Sequence, residues 1–148
     1  MAHQTLVYGV IEVFPSGPNH PNADARTLAT LRALPDGDAW PPLVSSMFGA
    51  TANEHASVSY LYRVIHFGAS IKEVEWEWSE WLAKFEGLLS QLDGVAATVH
   101  MQSELVGDHT YEWHRTAASI ASWPPHWEFQ GGIRSFSDGR PRATASST

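Results

Sequence analysis

Eight histidines, at positions 3, 20, 55, 66, 100, 109, 114 and 126, are the first residues here whose type could do chemistry. A zinc or iron site needs three or four convergent nitrogen or oxygen ligands. His109 and His114 are five apart, so on a strand they point to opposite faces and do not chelate together. His100 and His114 can share the polar face of a hairpin with Glu104 and Glu112, and His66 could join them. That set would hold a metal or serve acid–base hydrolysis. The same composition also describes the wetted face of an ordinary hairpin. No HExxH or His-x-His pair sharpens the signal.

Other reactive patterns are missing from the chain. There is no cysteine, which removes thiol nucleophiles and thiolate metal sites, and no G-x-S-x-G elbow. The glycine pairs in "GDG" and "QGG" lack the spacing of a phosphate loop. Asp36 and Asp38 fall in a linker, and Glu75, Glu77 and Glu80 on what reads as a solvated helix face. Glu12 is the one acid in an apolar strand, and Arg63 on a neighbouring strand is its expected partner if it is buried. We assign no catalytic residue and expect no cofactor.

The stronger signal is aromatic. Seven tryptophans stand among 148 residues, three of them in the acid-rich stretch "EVEWEWSEWLAKFEGLL" at 73–89. Residues 70–93 read as one amphipathic helix, with Ser70 and Glu73 as a capping box and Gly94 as the stop. Ile71, Val74, Trp78, Leu82, Phe85, Leu89 and Leu92 fall on one stripe, flanked by Trp81 and Leu88. Trp78 and Trp81 therefore belong to the core. Trp76 points outward beside Ser79, Ala83, Gly87 and Ser90, a shallow trough with an aromatic wall. Either the chain's own C-terminal arm covers it or a partner docks there. Glu80 and Lys84 are spaced for an i,i+4 pair.

The remaining elements must position these residues. "TLVYGVIEVF" (5–14) reads as a strand, 22–35 as a helix capped by Asn22 and stopped by Pro35, and 36–50 as a linker with one short helix. "SVSYLYRVIHFG" (57–68) is apolar on both sides and reads as a central strand. Residues 95–105 and 108–116 alternate and form a hairpin turning at Gly107-Asp108. The expected fold is α+β, a two-layer sandwich in β-α-β-α-β-β order. A four-stranded mixed sheet carries two main helices on one face, followed by an extended C-terminal arm. Residues 1–130 make the single domain, and 131–148 a largely disordered tail.

Composition bounds the function. A net charge of −7 argues against binding a nucleic-acid backbone. No apolar stretch approaches the roughly 18 residues of a membrane span. Without a recognisable signal segment or any cysteine, the chain reads as cytoplasmic. Acidity, abundant tryptophan and the lack of a catalytic set point to a non-catalytic binding or inhibitor protein for a basic protein partner. Bacterial toxin-immunity proteins share this general profile, though no motif is shared. The expected partner surface is Trp76 with Glu73, Glu77, Glu80, Ala83 and Gly87. A metal-binding or hydrolytic enzyme on the hairpin face is the rival. A homo-oligomeric structural or phage-type component is the third reading.

Overall fold

The computed structural model describes residues 3–17, 20–50, 62–116, 123 and 125–137. Strand β1 (Gln4–Val13) leads to helix α1 (Ala23–Arg32), then β2 (Phe48–Ala50) and β3 (Arg63–Lys72). Helix α2 (Trp78–Leu89) precedes β4 (Gly94–Ser103), β5 (Gly107–Arg115) and β6 (Trp127–Gly131). The sheet order is β2-β3-β1-β4-β5-β6, and every neighbouring pair is antiparallel. The first four strands and two helices follow a β-α-β-β-α-β path, which the β4–β5–β6 meander extends.

The α+β class and the packing of both helices on one sheet face agree with the pattern in the chain. The expected four-stranded mixed sheet does not. Two strands were hidden. β2 has only three residues, too few to show alternation. β6 lies in the segment read as an arm, where Trp127 and Phe129 are half-buried and Glu128 and Gln130 exposed. The 57–68 strand instead runs from Arg63 to Lys72, and 57–61 lie outside the described residues. It is not buried on both sides: Ile65, Phe67 and Ile71 are buried, whereas His66, Gly68, Ser70 and Lys72 are exposed.

That longer strand displaces the start of the helix. Ile71 pairs with Thr5, and Ser70 accepts a hydrogen bond from the Gln4 amide side chain at 2.7 Å, so the capping box never forms. Glu73 turns the chain in a left-handed conformation (φ 53°), residues 74–77 make a 3-10 turn, and α2 begins at Trp78. The stripe itself is buried from Ile71 to Leu92. Period-2 and period-3.6 burial coincide at Ile71, which is why the boundary was illegible.

Core and open face follow from strand parity. Thr5, Val7, Ile11 and Val13 of β1 are fully buried under the helices. Trp78 and Trp81 stack at 5.0 Å, and Phe85 meets Phe67 at 5.3 Å and Trp113 at 5.1 Å. Gly9 belongs to this face because a Cβ there would lie 2.8 Å from the Phe67 ring and 2.0 Å from the Thr98 carbonyl oxygen. The segment after β6 also packs down. Arg134 grips the Glu86 carboxylate through both terminal nitrogens (2.7 and 3.0 Å), and Phe136 meets the His109 ring. Residues 131–137 are thus placed against the domain, and 138–148 lie outside the described residues. Among the described residues no helix is long and apolar enough to cross a membrane.

Candidate functional site

Helix α2 clamps the linker that precedes it in the chain. The Lys84 ammonium bonds the Asp38 carboxylate at 2.8 Å and the carbonyls of Ala39 and Pro41 at 2.9 and 2.7 Å. The Trp81 indole donates to the Pro42 carbonyl at 3.0 Å. Lys84 therefore does not form its expected pair with Glu80, whose carboxylate accepts the Ser79 hydroxyl. Three acceptors outcompete one exposed i,i+4 partner, since such helix pairs contribute only about 0.3–0.5 kcal/mol. The bonded ammonium holds the Asp38 carboxyl below its usual range, and the Leu43 backbone N–H adds to the effect.

This clamp presents Trp40. Its indole N–H donates to Glu77 at 2.9 Å, yet 49% of the residue is exposed. An aromatic ring that is exposed but already fixed loses little entropy when something lands on it. Beside it stand the sequence-derived partner residues. Trp76, Glu73 and Glu77 are half-buried, and Glu80, Ala83 and Gly87 are exposed. Trp76 is thus neither fully enclosed nor fully open. It sits in the 3-10 turn rather than in α2, so the trough it was expected to share with Ser79, Ala83 and Gly87 is not one continuous helical face.

Between Glu73 and Glu77, one acid reverses direction. Glu75 was expected on a solvated face but is fully buried. One of its oxygens accepts the hydroxyls of Thr5, at 2.8 Å, and of Ser103. Ser103 Oγ in turn accepts the backbone N–H groups of Leu105 and Val106. The carboxylate thereby pins the acidic turn to the ends of β1 and β4. A 3-10 turn has three residues per turn, so successive side chains take different faces than they would in an α-helix.

The hairpin residues of the metal reading do not converge. His100 lies opposite Thr110, four positions along β5 from His114, a separation of about 14 Å at strand rise. His100 instead contacts the Tyr8 ring at 5.0 Å and the Thr110 hydroxyl at 3.0 Å. Glu104 accepts the Gln4 backbone N–H in the 104–106 turn, far from His114. Only Glu112 and His114 approach each other, at 3.8 Å, and His66 lies beyond β1. Among the described residues no group of three or more potential ligands is placed to hold a metal. The Glu12–Arg63 pair is absent as well. Glu12 is on the open face, and Arg63 is on the helix face, bonded to Asp24 at 2.9 Å.

One histidine passed over in the sequence does meet a carboxylate. His20 Nδ1 lies 2.7 Å from Asp93 Oδ2, which Arg26 also approaches at 3.6 Å, and the other carboxylate oxygen receives Arg115 at 3.0 Å. The His20 ring stacks on Phe14 at 3.9 Å. A carboxylate orienting a histidine resembles the base of a catalytic triad. Here two arginines share that carboxylate, and among the described residues no hydroxyl bonds the ring. The knot joins the loop before α1 to the ends of α2 and β5, which is a structural task.

Charge is distributed unevenly. Arg26, Arg63, Lys84, Arg115 and Arg134 all pair with carboxylates of this chain. Internal pairing thus absorbs most of the described basic side chains and leaves the outward field to the acids. Comparison with protein families, with characterised proteins and with solved structures finds no match for this chain.

Proposed function

We propose that this is a non-catalytic binding protein, of inhibitor or immunity type, that recognises a basic protein partner in the cytoplasm. The docking surface is the acidic turn and the linker clamped to it: Trp40 and Trp76 as aromatic anchors, with Glu73, Glu77 and Glu80 around them and Ala83 and Gly87 at the margin. The observation that carries this reading is Trp40, half-exposed and yet fixed by Glu77. Tryptophans in such settings supply much of an interface's binding energy, and surrounding acids speed the encounter with a cationic partner. The internal pairing of the arginines supports the same sign of field. Mechanism on this reading is occlusion: the protein sits on a cationic surface and blocks it.

The test is affinity capture from lysate of the source organism with the intact protein and with a Trp40→Ala/Trp76→Ala/Glu80→Lys variant. The expected result is a basic protein retained by the first, released by salt and lost from the second. Identical captured sets would remove this surface from consideration.

A further inference from the structure

The second large surface is the sheet face opposite the helices. β1 contributes Gln4, Leu6, Tyr8, Val10 and Glu12 to it, β3 Val64, His66 and Lys72, β4 Ala96, Thr98, His100 and Gln102, and β5 Asp108, Thr110, Glu112 and His114. Every one of these residues is half-buried or exposed, and Val10 in the central strand is 40% exposed. A solvated strand face ordinarily alternates to polar residues. Here the middle of β1 reads Leu-Tyr-Val, and one pleat further Val64 and Ala96 lie on either side of Glu12. The six strands, at about 4.8 Å spacing and 3.4 Å rise, offer on the order of 700 Å². That approaches the roughly 800 Å² per partner of a standard interface.

Charge on this face is polarised across the strands. Among these residues the one lysine, Lys72, lies on β3 with His66, and Glu12 on β1 is the one acid on that side, while His100 and His114 lie on β4 and β5. Asp108 and Glu112 lie on β5, and Glu128 on β6. The registry aligns them: Val10 faces His66 on one side and Thr98 on the other, and Thr98 faces Glu112, so His66 and Glu112 share one row. Tyr8 and His100 share another row. A twofold axis along the strands, between β1 and β4, maps β3 onto β5 and β1 onto β4 while preserving each row.

We propose that this face is a homodimer interface, its occupant a second copy of the chain packed sheet on sheet. His66 of one copy then lies over Glu112 of the other, and Lys72 reaches Asp108 one pleat along. Tyr8 of each copy covers His100 of the other, placing four rings at the centre, with the Val10 pair beside them. A neutral histidine still donates a ring N–H, so the His66–Glu112 contact does not depend on its charge. Gly49 helps, because a Cβ there would lie 2.6 Å from the His66 ring, which needs that space to lie flat across β2. An isologous interface requires this kind of self-complementarity. The two helical layers, and the proposed partner surface on each, then face outward.

Sedimentation equilibrium of the intact protein over about 1–300 μM tests it, since a typical transient dimer dissociates in the micromolar range. The expected result is a reversible monomer–dimer transition between 16.3 kDa and twice that mass. Lys72→Glu, which sets like charges together, should weaken the dimer by about tenfold, and Lys72→Glu/Asp108→Lys should return it to within about threefold of the original. Val10→Lys, at an exposed position, should abolish dimerisation while leaving the circular dichroism unchanged, and the melting temperature unchanged at concentrations where the unaltered protein is monomeric. A monomer at every concentration overturns the proposal. So does a dimer indifferent to Val10→Lys, or a charge swap that fails to restore association. A face that remains monomeric and instead retains a cationic protein, in a Val10→Lys-sensitive way, also overturns it.

Discussion

Glu77 and Trp40 are 37 residues apart in sequence and joined by a 2.9 Å hydrogen bond from indole to carboxylate. This contact makes the Trp40 ring a fixed feature of the surface rather than a loose loop side chain. Glu77→Ala should release the ring. In a ¹⁵N-labelled sample, the Trp40 indole resonance should shift and exchange faster with water. The loss of stability should stay near 1 kcal/mol, typical of a single part-exposed hydrogen bond. An unmoved resonance would show that the bond does not hold the ring.

Glu75 gives a larger effect of a different kind. Glu75→Ala strands the Thr5 and Ser103 hydroxyls and opens a cavity, so urea denaturation should show a loss of about 2–4 kcal/mol. Glu75→Gln keeps one acceptor oxygen and should cost about half as much or less. Equal losses for the two variants would mean that the hydroxyl contacts contribute little.

The Lys84–Asp38 pair predicts a pH dependence with a definite sign. The folded protein holds the Asp38 carboxyl below its ordinary value of 3.8. Its contribution is therefore present above that pH and is lost as pH falls through the lowered value. Lys84→Met should destabilise by about 1 kcal/mol at neutral pH, since the pair is partly exposed. The gap from the unaltered protein should narrow below pH 3.8. A gap constant down to pH 2–3, on a scale set by ordinary carboxylate titration, would assign the loss to the carbonyl contacts alone.

Tyr111 bears on the alkaline limb. Burial pushes its hydroxyl pKa up from 10.0, and the group donates to the Ile133 carbonyl. A raised folded value stabilises below the unfolded pKa, and that contribution disappears as pH rises through the folded one. Melting curves above pH 10.0 should thus fall less steeply for Tyr111→Phe than for the unaltered protein. Parallel curves would contradict the assignment.

The burial of Trp78 and Trp81 was legible because large apolar residues at 3.6 spacing have only one place to go. The β4–β5 alternation was legible for the analogous reason at period 2. The start of α2 was not, because Ile71 satisfies both periods and its pairing with Thr5 is a long-range fact. Glu75 is illegible for the same reason, since a 3-10 turn points it inward where an α-helix would point it out. Trp40 left only the trace of a Trp-Pro-Pro tripeptide in a linker. Its importance comes from Glu77, which accepts its indole N–H, and from Lys84, which bonds the Ala39 and Pro41 carbonyls on either side of it, both from more than 35 residues away. Alternation places His100 and His114 on one face but says nothing of their separation along it.

The most direct test of the proposed role is the association rate of the captured partner, measured as salt rises from about 50 to 500 mM, where exposed charges become screened. Recognition through the Glu73–Glu80 turn predicts a rate that falls steeply with salt for the unaltered protein and a slower, flatter profile for Glu77→Gln/Glu80→Lys. Trp40→Ala should mainly quicken dissociation. A salt-independent association rate, unchanged in the charge variant, would contradict recognition by this surface.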